Sequence, residues 1–438
     1  MMHLTWRLQR ILHQFRHALT TPSRNARTAV VLGRLLAAAF LICFATGIYS
    51  HVIQEPAPWM VFPSRPIWLY QITQGLHITA GIACFPLIFA KLYAVFPDLF
   101  QSPPMRSAGH FVERATIALF VAASLVQITI GLLNTYQFYS LFPFSFRQVH
   151  YALSFVVLGS LAIHIAVKLP IITRYWRKSD ALDEDGALVP IAGAVAEADD
   201  SFTARDELQR RTGIPQNAGL TGRIFEWIDR KPAPMPPDAR APVSRRGFFT
   251  TVAVATGAVV ALTAGQSFRV LDPLNLFAPR KNNTGKQSLP VNRTAKSAGV
   301  VDAASDPAWT LTVSNGAVSK VLDYKQLEAL PQYEVVLPIA CVEGWSQYAT
   351  WRGPRLRDLV DLVGAPQLAS VRLTSLQQNS IYAVTEMQPQ FVRDELTVVA
   401  LQLEGETLDL DHGYPARIIA PARPGVLQTK WLTTLEVI

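Results

Sequence analysis

Hydrophobic and polar positions divide the chain into two regimes. Up to about residue 270 the apolar residues come in long runs, at 29–50, 67–96, 111–139 and 149–172, and the stretch 115–133 carries no charge. A helix needs about 20 residues to cross the ~30 Å hydrocarbon core of a bilayer, so each run predicts a membrane-spanning helix rather than part of a soluble bundle. Trp59, Trp68, Tyr136, Tyr139, Tyr175 and Trp176 fall near the run ends, where amphipathic rings form an interfacial belt. Lys91 and Lys168 are placed to snorkel to the inner surface. A fifth uncharged run covers 247–268, directly after Ser244-Arg245-Arg246-Gly247-Phe248-Phe249.

Between the fourth and fifth runs the pattern is lost. Acidic clusters (Asp183-Glu184-Asp185, Glu197, Asp199-Asp200) and a proline-rich tail from Lys231 predict a linker over 177–243, with at most a short helix near 222–229. Beyond residue 300 the apolar positions become short and period-two. Strands are predicted at 309–313, 334–339, 370–376, 381–384 and 416–420, and short helices near 324–329 and 356–362. Strands interspersed with short helices predict an α+β domain.

Composition agrees with a membrane class: half the residues are hydrophobic and mean hydropathy is +0.21. The net charge of +8 could suit nucleic acid, but no basic stripe interleaved with aromatics runs through the sequence. Instead Arg7, Arg10, Arg16, Arg24 and Arg27 precede the first apolar run and Arg34 lies near its start, as at a cytoplasmic N-terminus. With four spans the linker is then cytoplasmic too, and the fifth carries the C-terminal domain outside. Of three cysteines, Cys43 and Cys84 lie in apolar runs, so there is no disulfide framework.

The third cysteine carries the chemistry. It stands in Ala340-Cys341-Val342-Glu343-Gly344-Trp345, followed by Trp351-Arg352-Gly353, then His412-Gly413-Tyr414-Pro415-Ala416-Arg417, Pro421 and Lys430-Trp431. A soft thiolate suits a soft, high-valent metal, and planar Arg forks bind phosphate bidentately. These spacings resemble the molybdopterin-binding domain of the sulfite oxidase and methionine sulfoxide reductase family, over roughly 285–438. The resemblance implies Cys341 as molybdenum ligand and catalytic centre, with His412, Arg417 and Lys430 holding the pterin. Arg293, in Asn292-Arg293, stands where the family often places a further pterin contact. Glu343, Trp345 and Trp351 are candidates for shaping the substrate pocket or for core packing. The run after Cys341 looks closer to the bacterial methionine sulfoxide reductase branch than to true sulfite oxidases.

Five of nine histidines lie in or at the ends of the apolar runs. His150 and His164 are fourteen residues apart, which on a helix returns them to nearly one face ~21 Å apart. That arrangement resembles the di-haem cytochrome b subunits of membrane-bound formate dehydrogenase and hydrogenase. It implies an outer haem between His150 and either His51 or His77. An inner haem would then join His164 to His110 or His77. The twin arginine at 245–246 resembles the signal read by the twin-arginine export machinery. Leu262-Thr263-Ala264 is a poor cleavage site, so the fifth run is expected to remain as an anchor.

The expected architecture is a membrane all-α four-helix cytochrome b domain with a fifth transmembrane helix, followed by an α+β molybdopterin-binding domain of the sulfite oxidase type. Its parts are a basic tail (1–28), the four-helix domain (29–176), the linker (177–243), the signal anchor (244–270) and the molybdopterin domain (285–438). The expected function is a multi-pass enzyme of a bacterial plasma membrane. It would carry molybdenum-molybdopterin and two b haems, take electrons from quinol, and reduce an S-oxide or N-oxide outside the cell membrane. The reverse flow, oxidising sulfite or another small donor into the quinone pool, and a haem anchor with a non-catalytic C-terminal domain are the alternatives.

Overall fold

The computed structural model describes residues 23–24, 26–96, 108–138, 141, 144–176, 245–264, 267–278, 280–378 and 380–438. The basic tail before residue 23, the linker 177–243 with its helix expected at 222–229, and Ser244 lie outside the described residues.

Among the described residues five helices are long and apolar enough to cross a membrane: α1 (Ala26–Gln54), α2 (Leu69–Val95), α3 (Ala108–Thr135), α4 (Phe146–Arg174) and α5 (Arg245–Thr263). Large apolar side chains such as Phe85, Phe89, Phe155, Ile163 and Val254 point away from the protein. A water-soluble bundle would turn these inward, whereas lipid accepts them. The chain divides into two compact units, 1–41 with 83–129 and 152–258, and 42–82 with 130–151 and 259–438.

In the first unit Phe120 packs edge-on against Phe40 and stacks on His164, with ring centroids 5.8 and 5.7 Å apart. The charged side chains here are paired rather than left in hydrocarbon. Lys168 forms an ion pair with Glu113, and Lys91 donates to the Ala29 carbonyl. Arg27 donates to the Trp176 carbonyl (2.7 Å), and the Arg34 guanidinium lies 4.0 Å from the centre of the Trp176 ring.

The second unit holds the α+β domain. Its strands are β1 (Thr310–Asn315), β2 (Val318–Asp323), β3 (Tyr333–Ala340), β4 (Ser346–Gly353), β5 (Val371–Ser375), β6 (Val384–Met387), β7 (Val398–Ala400), β8 (Gln402–Leu403), β9 (Glu406–Thr407), β10 (Arg417–Ile419) and β11 (Leu432–Val437). One sheet has the order β2-β1-β11-β5-β6, parallel only at β1–β11; a second is β3-β4-β8-β9, and β10 pairs with β7. Leu311 and Val313 alternate inward from β1 onto Leu373 and Leu435, the period-two signature of a half-buried strand. Asp323 and Gln326 form a reciprocal capping box on the helix at Tyr324–Ala329, which fixes where β2 ends.

This unit also includes the end of α1, the loop 55–68 and the start of α2. Ile53, Phe62 and Tyr70 share the core of the sheet domain. Gln388 donates to the Met60 carbonyl (2.6 Å), Gln390 to that of Phe62 (2.8 Å), and Tyr382 to the Gln54 side chain (2.9 Å).

Candidate active site

Cys341 follows the last residue of β3, whose end is buried on both faces. The chain then reverses over five residues. The Cys341 N–H donates to the Trp345 carbonyl (2.9 Å) and the Gly344 N–H to the Cys341 carbonyl (3.0 Å). The turn leads into β4 and leaves the thiol fully buried. Burial, and next the Glu343 carboxyl, push the Cys341 thiol well above its ordinary range. A thiol in that state binds metal only if a cation or the metal draws off its proton.

The cations come from the other end of the domain. His412 lies on a short turn (Leu410–His412) capped by the Asp409 side chain, and Gly413 ends that turn with a φ of 111°. A Cβ at Gly413 would stand 3.0 Å from Lys430 Cβ and 3.1 Å from Arg417 Cβ. Only glycine lets Arg417, on β10, and Lys430, before β11, close around this turn. Arg417 donates to the carbonyls of His412 (2.9 Å) and Gln428 (3.3 Å), and Lys430 to those of Arg293 and Asp411 (both 2.8 Å). Among the described residues neither forms an ion pair, and Arg417 Nε is buried without a partner. Burial lowers Arg417 to about 9. Burial and then the Arg417 charge bring Lys430 to about 7. His412 Nε2 donates to the Lys286 carbonyl (2.8 Å), and burial takes it down to about 4, so the ring is neutral.

Cys341, His412, Arg417 and Lys430 line one cleft together with Asn292 and Trp345. The structure thus gathers four of the residues picked out by spacing. Arg293 is nearby but faces elsewhere: its guanidinium donates to Gln377 (3.2 Å), and its carbonyl serves Lys430. Trp351 is buried beneath the Arg417 guanidinium, 5.0 Å from its ring centre. The Glu343 carboxylate accepts from Gln137, at the end of α3, which itself accepts from Arg280 (2.6 Å). Gln137 and Arg280 were not foreseen.

Residues 298–438 match the family model described as the oxidoreductase molybdopterin binding domain, and this part of the chain is such a domain, of the sulfite oxidase type. The chain is 27% identical over 206 residues to sulfite oxidase of Arabidopsis thaliana, covering 38% of this chain and 52% of that protein. It is 32% identical over 115 residues to YedZ1 of Azospira oryzae, assigned as a protein-methionine-sulfoxide reductase subunit, covering 26% and 42%. It is 26% identical over 117 residues to the uncharacterized oxidoreductase YuiH of Bacillus subtilis, covering 26% and 58%. The chain spans about half the length of the curated relatives it matches.

The residues present fit a molybdenum-pterin group by their chemistry. Two buried cations without acidic partners and an orphaned guanidinium N–H call for an anion. Among the described residues no three His, Cys, Asp or Glu side chains gather as a protein-made metal site, so a metal on Cys341 would need ligands from outside such a cluster. The cleft holds about 20 Å³, room for one water.

The histidines of the helices separate by position. His77 on α2 and His150 on α4 face each other, ring centroids 6.1 Å apart and planes at 70°. His77 Nδ1 donates to the Cys43 carbonyl (2.9 Å) and lies 3.2 Å from Thr46 Oγ1, whose own proton goes to the Ile42 carbonyl (2.6 Å). That tautomer leaves the Nε2 lone pair for a metal. Gly47 and Gly131 flank the rings: a Cβ at either would stand 3.0 Å from His77 Cε1 or 3.4 Å from His150 Cε1. His51 is elsewhere, stacked on Tyr151 at 3.7 Å with its Nε2 3.7 Å from Glu55. His164 stacks on Phe120 in the first unit, and the His110 side chain lies outside the described residues.

Proposed function

We propose that the protein is a membrane-bound molybdenum oxidoreductase that passes quinol electrons through b haem to the Cys341 centre, which reduces an S-oxide or N-oxide. What carries the membrane half of this reading is the His77–His150 pair. These two imidazoles are the residues that would hold a haem iron between α2 and α4, and the iron would supply one-electron chemistry there. The facing rings, the fixed His77 tautomer and the flanking glycines support it. His150 therefore pairs with His77 rather than His51 in this reading, and a second haem uses His164.

The molybdenum group supplies the oxygen-atom and two-electron chemistry when bound. The chain's part is to hold it. Cys341 supplies the thiolate, Arg417 and Lys430 neutralise the pterin's anionic groups, and neutral His412 keeps its turn against Lys286. Trp345 narrows the cleft. The loop after the ligand supports a neutral oxide as substrate. Val342, Glu343, Gly344 and Trp345 offer no cation. Arg355, stacked 3.8 Å over Tyr333 and bonded to the Glu395 carbonyl, does not line the cleft, nor does Arg352. A neutral oxide suits such a loop better than anionic sulfite, the substrate named by the Arabidopsis relative.

The twin arginine that opens α5 and the basic N-terminal residues support an inside N-terminus and a domain exported already folded around its pterin. Metal and pyridine haemochrome analysis of the purified protein tests the cofactor set. The reading expects one molybdenum and two b haems per chain; a protein with molybdenum and no haem overturns its membrane half.

A further inference from the structure

We infer that Gln74 bridges the haem and molybdenum centres, carrying electrons from the His77 helix into the loop that bears the metal thiolate. The inference rests on the proposed function, since it needs a redox group at each end.

The three residues that follow Cys341 are all held by residues outside the sheet domain's own strands. Gln74 donates its Nε2 proton to the Val342 carbonyl at 2.9 Å and is itself buried. Gln137 holds the Glu343 carboxylate and also donates to the Asn292 carbonyl (2.9 Å). Gly344 has a φ of 96°, and a Cβ there would stand 2.8 Å from Ile78 Cγ1, so its backbone lies directly on α2. The Ser267 hydroxyl donates to the Gly344 carbonyl. Gln74 and Ile78 straddle His77 on one helix, a turn below and one residue above it.

A continuous path therefore joins the two ligands: His77, the α2 backbone, the Gln74 side chain, one hydrogen bond, the Val342 carbonyl, and Cys341. A buried polar group costs free energy unless it is bonded; Gln74 gives its amide N–H to the backbone next to the thiolate, while its Oε1 stays buried without a hydrogen-bond partner. Fixing this loop also holds the separation of the two centres constant, which a hinge would not. The balance is simple. A quinol gives up two electrons and two protons to become quinone. The electrons cross singly, and with two protons from water they convert one S-oxide to a sulfide and one water.

The test uses the full-length, cofactor-loaded protein carrying Gln74→Met, close in size but without the donor. Haems are pre-reduced anaerobically, and their reoxidation by dimethyl sulfoxide or methionine sulfoxide is followed by stopped flow. Haem content, molybdenum content and the paramagnetic resonance of the molybdenum centre are measured alongside. The inference expects severalfold slower reoxidation with all three unchanged. Reoxidation at the wild-type rate overturns it. So does slower reoxidation with an altered molybdenum resonance, which would make Gln74 a prop for the loop rather than a bridge. Gln74→Asn, too short to reach Val342 but still polar, should match the methionine variant; a wild-type rate there also overturns it. Wild-type protein that binds no haem instead sinks the function on which the inference rests.

Discussion

At the scale of residues, the cleft is a concentration of positive charge that the fold does not neutralise. Arg417 and Lys430 are bonded only to carbonyls among the described residues, and the domain bears that cost until an anion arrives. One consequence is a pH dependence of the cofactor-free protein. Lys430 falls from an ordinary 10.5 to about 7 on folding, and His412 from 6.5 to about 4. In both cases the unfolded chain binds the proton more readily, so stability rises with pH across each interval. The thermal midpoint of the cofactor-free protein should drop as pH falls from about 9, below which the raised Cys341 thiol no longer opposes the trend, to about 7 and again from about 6.5 to about 4. A bound pterin should flatten the first interval by keeping Lys430 charged; a flat profile without cofactor would contradict the electrostatic picture. Gly413 offers a steric test. Gly413→Ala puts a side chain at positive φ, a strain of ~1–3 kcal/mol, and pushes Arg417 and Lys430 apart. The expected outcome is a lower molybdenum-to-protein ratio with the haem spectrum intact, read by metal analysis.

At the scale of elements, the long apolar helices were legible because a bilayer span makes a simple demand: apolar side chains over about 20 residues. Their ends were not. Helix α1 runs from Ala26 to Gln54 where the apolar run covers 29–50, because helical hydrogen bonding continues into polar flanks that hydropathy does not mark. In the sheet domain the short helices at 324–329 and 356–361 and the cores of β1, β3, β5 and β10 were visible from alternation. The strand expected at 381–384 begins only at Val384. Residues 381–383 are held in a turn by the Ala383 N–H to the Ser380 carbonyl (3.0 Å) and Gln377 to the Tyr382 carbonyl (3.0 Å). Strand β2 was missed because it is an exposed edge with no apolar face to betray it. The site itself divides in the same way. Cys341, His412, Arg417 and Lys430 stood out by spacing, whereas Gln74, Gln137 and Arg280 find partners far along the chain that no local pattern encodes. The element-scale prediction concerns α5. Replacing Arg245 and Arg246 together by lysine keeps the charge but removes the planar forks. The first four helices should still insert while the sheet domain stays inside, becoming inaccessible to protease added outside; unchanged accessibility would count against an export signal.

At the scale of the whole molecule, one compact unit contains both the His77–His150 pair and the Cys341 cleft. Loss of His150 should remove one haem, and loss of His164 the other, since ~21 Å along one helix is too far for a single iron. The haemochrome ratio of each single variant measures this, and a wild-type ratio of one would leave only the His77–His150 haem. Electron flow from haem to molybdenum and on to an oxide is read directly in one optical experiment. Purified protein is reduced with a stoichiometric amount of dithionite, and methionine sulfoxide is added without oxygen. The account predicts that the haem bands return to their oxidised form in the wild type and stay reduced in Cys341→Ser, whose haem content is unchanged. Reoxidation in Cys341→Ser at the wild-type rate would contradict it.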